Sequence, residues 1–131
     1  MTLFDECLEA LGARTAVLSD QETIEIFKTF SDILPVTKWG RIEWDKIDKK
    51  IQVDSANEIL KCLYTQDKST DTEIFVLWDE ASLPVIKSDL DRILKVIDDV
   101  TAVSSNTWLF SPTFKYVIEF YHIGEVTIGI F

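Results

Sequence analysis

Residues 116–121 (YVIEFY) and 126–131 (VTIGIF) are two runs rich in β-branched and aromatic side chains, parted by His122-Ile123-Gly124-Glu125. This is the pattern of a β-hairpin. In the second run Val126, Ile128 and Ile130 alternate with Thr127 and Gly129, and in the first Ile118 and Phe120 alternate with Glu119 and Tyr121. The alternation predicts one strongly apolar face and one mixed face. An apolar sheet face has to be covered by another layer, and the preceding residues read as the helices that cover it.

Leu3, Phe4, Cys7, Leu8 and Leu11 share one helical face, with Thr2 placed as N-cap and Gly12 as the stop. Thr15-Ala16-Val17-Leu18 follows as a short extended segment. Ser19 with Glu22, and Ser55 with Glu58, are S-x-x-E capping boxes. The first predicts a helix from Asp20, with Ile24, Phe27, Phe30 or Ser31, and Leu34 on its apolar stripe and Pro35 at its end. The second predicts a helix to about Tyr64. Residues 65–73 are polar and read as an exposed loop. Ile74-Phe75-Val76-Leu77-Trp78 is continuously apolar, as a central strand covered on both faces is. After a turn at 79–84, Ser88 and Asp91 suggest a third capping pair, starting a helix that buries Leu90, Ile93, Leu94 and Ile97. Val100-Thr101-Ala102-Val103 reads as a short strand, 107–110 as another, and Ser111-Pro112 as a break. In the stretch 36–53, Ile42 and Trp44 alternate with Arg41, Glu43 and Asp45, which predicts a strand over 38–44 and a second around 47–53. The expected fold is a single α+β (or α/β) domain over residues 1–131: a mostly antiparallel sheet ending in a C-terminal hairpin and covered by about four helices.

Charge narrows the partners. With 13 Lys and Arg against 23 Asp and Glu, the net charge is −10, so phosphate-backbone binding, which depends on Lys and Arg releasing counterions, is unfavourable. Direct nucleic-acid binding is not expected; a basic partner is attracted. Lys38, Arg41, Lys46, Lys49 and Lys50 lie among Trp39 and Trp44, but Glu43, Asp45 and Asp48 are interleaved with them, which reads as a solvated strand edge. Trp39 and Trp44 are interface candidates, and Trp78 and Trp108 core residues. Cys7 and Cys62 are isolated in apolar helical patterns and read as buried thiols. The acidic start MTLFDECLEALG lacks the basic n-region of a signal peptide, and no apolar run reaches the roughly 20 residues of a membrane span; a cytoplasmic protein without membrane contact is expected. His122, the single histidine, sits at a strand end beside the hairpin turn, and no C-x-x-C, G-x-G-x-x-G or GK[ST] pattern occurs. No catalytic residue, metal or cofactor is therefore assigned. Asp79-Glu80 and Asp98-Asp99 could share a proton or hold a divalent cation, but they read as solvated turns.

The succession LEALG, IFVLWDE, LPVIKSDLDRILKVIDDV, TAVSSNTWLFSP and KYVIEFYHIGEVTIGIF resembles the small immunity proteins of bacterial contact-dependent growth inhibition systems, over residues 2–131. The likeness lies in the order of apolar elements rather than in a short motif. It implies a non-catalytic cytoplasmic monomer that binds the C-terminal toxin domain of a cognate effector, often a basic nuclease, in a 1:1 complex. Members use different surfaces against different toxins, so no binding residue is carried over. The chain's own acids point to Asp79, Glu80, Asp89, Asp91, Asp98 and Asp99 as one surface, with Asp67, Asp71 and Glu73 in the loop before the central strand. The alternatives are a SUKH-type or housekeeping binding scaffold, and a small metal-dependent hydrolase built on Asp79, Glu80, Asp98 and Asp99.

Overall fold

The structure, a computed structural model, describes residues 1–37, 41–70 and 72–131. Among the described residues there are five α-helices, α1 (Leu3–Leu11), α2 (Asp20–Ile33), α3 (Ile59–Thr65), α4 (Leu90–Lys95) and α5 (Ile97–Thr101). The strands are β1 (Ala16–Val17), β2 (Lys49–Val53), β3 (Glu73–Trp78), β4 (Ile86–Asp89), β5 (Thr107–Ser111), β6 (Tyr116–Phe120) and β7 (Val126–Ile130). They form one seven-stranded sheet in the order β1-β4-β3-β5-β6-β7-β2, with every neighbouring pair antiparallel. The fold is α+β, and the C-terminal hairpin β6–β7 is interior to the sheet, with β2 forming the edge beyond β7.

Local chemistry accounts for the first two helices. Thr2 and Asp5 satisfy each other's backbone N–H groups at 3.1 Å each, and Ser19 and Glu22 do the same at 3.0 and 3.2 Å. Gly12 closes α1 with φ +88°, a conformation that favours glycine. The N–H of Leu34 closes α2 on the Phe30 carbonyl, and Pro35 follows. The box at Ser55 and Glu58 opens a 3₁₀ turn, Ala56–Glu58, which runs into α3.

Strand periodicity divides the core in two. Ile74, Val76 and Trp78 point to one side of the sheet with Leu109, Ile118 and Ile128, where α1, α3, α4 and α5 cover them. Leu77 points to the other side with Trp108, Phe110 and Val117, beneath Phe30 and Leu34 from the α2 region and Ile42. Each fully buried aliphatic or aromatic side chain contributes roughly 1.5–3 kcal/mol, and β3 draws on both layers. The double covering of Ile74–Trp78 is thus as expected. The mixed face of the hairpin is not a solvated face: Glu119 is 1 % exposed and Thr127 7 %, and Arg41, Ile42 and Trp44 lie over Glu119.

Several expectations are corrected. Ser88 does not cap a helix; it is a buried residue of β4 whose hydroxyl lies 2.8 Å from that of Thr15, and Asp89 stands at the start of α4 without a side-chain capping bond. Val100-Thr101-Ala102-Val103 is not a strand. Residues 97–101 form α5, tied down where the Trp78 indole N–H donates to the Val100 carbonyl at 3.0 Å. Of the expected 38–44 strand, Lys38, Trp39 and Gly40 lie outside the described residues. The remainder forms an isolated antiparallel bridge, Val36 to Ile42, and a 3₁₀ turn, Trp44–Lys46. The solvated edge strand is β2, paired to β7 alone, with Lys49 and Lys50 exposed.

Candidate functional site

Among the described residues, Glu119 gathers the most side-chain hydrogen bonds. It lies mid-strand in β6, opposite Trp108 on β5 and Thr127 on β7. One carboxylate oxygen accepts from Arg41 Nε at 3.0 Å and Trp44 Nε1 at 2.9 Å; the other accepts from the Ile42 backbone N–H at 3.1 Å and Trp108 Nε1 at 3.0 Å. Four donors fill the acceptor capacity of a carboxylate, which is the condition for keeping such a group inside a protein. Arg41 reaches outward to Glu125 at 2.9 Å and lies 3.8 Å over the Tyr121 ring. Desolvation opposes the Arg41 charge, but its bonds to Glu119 and Glu125 outweigh that and hold the guanidinium above its ordinary range. The arrangement clamps residues 41–47 to the sheet. Trp44, an interface candidate by sequence, is half-buried and spends its indole N–H inside this clamp. The signal available in the sequence was a lone Glu within the apolar run YVIEFY.

The acids expected to make one surface are dispersed. Glu73 and Asp89 are register partners at one end of the β3–β4 pair, where Asp89 pairs with Arg14 at 3.3 Å. Asp91 follows in the first turn of α4 and pairs with Lys95 at 3.0 Å. Asp79 and Glu80 leave the opposite end of β3, roughly 20 Å away at a strand's rise per residue. Asp79 is itself a turn lock, accepting from Ser104 Oγ at 2.6 Å and from the backbone and side chain of Asn106, each at 3.1 Å. Asp98 and Asp99 are exposed in the first turn of α5, and Asp99 borders a shallow hollow with Glu6 and Glu9 of α1. Asp67 is exposed, with φ +56°. Asp71 and Trp39 lie outside the described residues.

His122 is exposed at the hairpin turn, its N–H donating to Asn106 Oδ1 at 3.0 Å, so Asn106 stands between it and Asp79. Desolvation, with a lesser contribution from Asp99, pushes the Cys7 thiol up to about 11, and burial raises Cys62 as well; both are held as thiols rather than thiolates. Among the described residues no group of three or more His, Cys, Asp or Glu is placed to hold a metal ion. Among the same residues no helix is long and apolar enough to cross a membrane.

Comparison with protein families matches residues 1–129 of the chain to the family described as CdiI immunity protein EcoliA0-like. A search of the curated proteins returned no match.

Proposed function

The chain belongs to the EcoliA0-like family of CdiI immunity proteins, and from that premise we propose that it neutralises the toxic C-terminal domain of a cognate contact-dependent inhibition effector by binding it, without catalysis, as a monomer in a 1:1 complex in the cytoplasm. The observation that carries this reading is the family match across residues 1–129. The toxin is a basic domain, in our reading a nuclease. A cleft that grips phosphates carries Lys and Arg, and a net charge of −10 draws such a surface in.

The carboxylates divide by role in this proposal. Glu73, Glu80, Asp89, Asp91, Asp98 and Asp99 are dispersed over the surface and contribute a field that raises the association rate. Asp79 chiefly holds its turn. The test is co-expression with the toxin domain encoded immediately upstream. Restored growth and a stoichiometric co-purified complex are the expected results. A harmless neighbour, or killing that continues in the presence of this protein, would refute the reading.

A further inference from the structure

Two cavities adjoin along one flank of α2. One, of about 440 Å³, has aromatic residues of the second core layer, Phe27, Phe30 and Trp108, in its lining. The other, of about 650 Å³, runs past Val17 and Leu18 to Leu83 and Pro84. They share Thr23, Ile24 and Ala81 and so form one groove between α2 and the 79–84 turn. The chain leaves apolar groups open there: Ile24 is 62 % exposed and Val17 49 %, although α2 places Phe30 in the core. Ile24 and Val17 stand exposed beside the partly buried Phe27, with the buried core rings Phe30 and Trp108 beneath, and exposed apolar side chains grouped around a concavity mark interaction sites.

Among the described residues, the charged side chains lining the groove are acidic. Asp79 borders the first cavity and Asp20 the second, and among the described residues neither lining includes a Lys or Arg. Glu80 is exposed in the turn between Asp79 and Ala81. A segment entering this groove gains by bringing cations to the rim and an apolar side chain to the floor. A second copy of this chain is disfavoured as occupant, since each copy carries −10. We propose that the α2 groove is the anchoring site for the toxin, and that it receives a toxin segment presenting an apolar side chain flanked by Lys or Arg. This rests on the immunity reading above.

The experiment measures binding of the purified, catalytically inactivated toxin domain encoded immediately upstream to the intact protein, by calorimetry and stopped-flow, at two salt concentrations. Ile24→Arg keeps a good helix former at an exposed position and is expected to weaken binding by about 30-fold or more, mainly through faster dissociation, as loss of a central anchor does. Glu80→Lys is expected to slow association by about tenfold and flatten its salt dependence. Ile24→Leu stays within about threefold of wild type, and so does Lys61→Gln, an exposed position on α3 across the sheet from α2. Unchanged melting of each variant confirms its fold, and Glu80→Lys in the exposed turn serves if Ile24→Arg proves unstable. Wild-type affinity in both Ile24→Arg and Glu80→Lys overturns the groove while leaving the immunity reading intact. A wild-type dimer that Ile24→Arg dissociates overturns it in favour of a second copy. Failure of the wild-type protein to bind the toxin domain refutes the immunity reading and this inference together.

Discussion

Replacing Glu119 by Gln keeps the size and shape of the side chain and turns one acceptor oxygen into an NH₂ donor. Whichever way the amide lies, two of the four N–H groups now aimed at Glu119 face another donor. If the NH₂ takes the second oxygen's place, the Ile42 and Trp108 N–H groups lose their partner in a fully buried setting. In the other orientation the losses fall on Arg41 and Trp44. Arg41 is 31 % exposed and regains water, so the amide settles that way. A buried donor left unpaired costs about 1–3 kcal/mol, and bonds to an ionised acceptor are the stronger class, which places the total at about 2–4 kcal/mol. With a urea m-value of about 2 kcal/mol/M for a small domain, the unfolding midpoint falls by about 1–2 M. Trp44 and Trp108 touch the substituted group, so tryptophan fluorescence follows the transition. Glu125→Gln, which leaves an acceptor oxygen for Arg41 but removes the charge of the outer pair from a side chain 38 % exposed, is expected to cost less than about 1 kcal/mol. A midpoint for Glu119→Gln within about 0.2 M of wild type, or equal to that of Glu125→Gln, would refute the clamp. So would a double-mutant cycle with Trp44→Phe that gave a coupling below about 0.5 kcal/mol.

Gly129→Ala places a methyl group 2.8 Å from Trp44 Cζ3 and 3.2 Å from Val117 Cγ1; the expected loss is about 1–3 kcal/mol, with a shifted Trp44 emission by fluorescence. Ser19→Ala removes the N-cap of α2 and should cost about 1 kcal/mol by urea titration; the Glu22 carboxyl, held low first by the backbone N–H of residue 19 and less by the Ser19 hydroxyl, should rise only part of the way in NMR titration. Tyr116→Phe should be neutral or stabilising by urea titration, because the phenol oxygen is buried with no hydrogen-bond partner. The alkaline limb follows from two raised groups. Burial pushes Tyr116 up from 10.0 to about 12, and desolvation and Asp99 push Cys7 up from 9.0 to about 11. The unfolded chain therefore releases these protons first. Stability is intact below pH 9 and falls through pH 9–11 for Cys7 and 10–12 for Tyr116, on the order of 2–3 kcal/mol each; Cys7→Ala should remove the first part of that decline in denaturation curves recorded against pH, and an unchanged decline would count against its assignment.

What could be read from the chain alone was what neighbouring residues decide among themselves. The capping boxes at Ser19 and Ser55 close over three residues, the β6–β7 hairpin over a four-residue turn, and the double covering of β3 shows as an unbroken apolar run, because caps, turns and alternation are local physics. The same locality misled at Ser88, where four residues of strand, 86–89, overlap a helical pattern. It misled again at Val100, where β-branched residues suggested a strand but the hydrogen bond from Trp78 and packing against the sheet hold a helix. The clamp lay beyond local reach. Glu119 meets Arg41, Ile42 and Trp44 across separations of 78, 77 and 75 residues, and only the folded sheet brings those donors to one carboxylate and removes the water that would otherwise satisfy it. The acids show the same division. Their number and net charge are properties of the composition, whereas their dispersal was decided by strand register and helix placement, which put Glu73 beside Asp89 and Asp79 at the far end of the same strand. Register is set by which apolar faces are buried, a choice made by the whole core and not by any one segment.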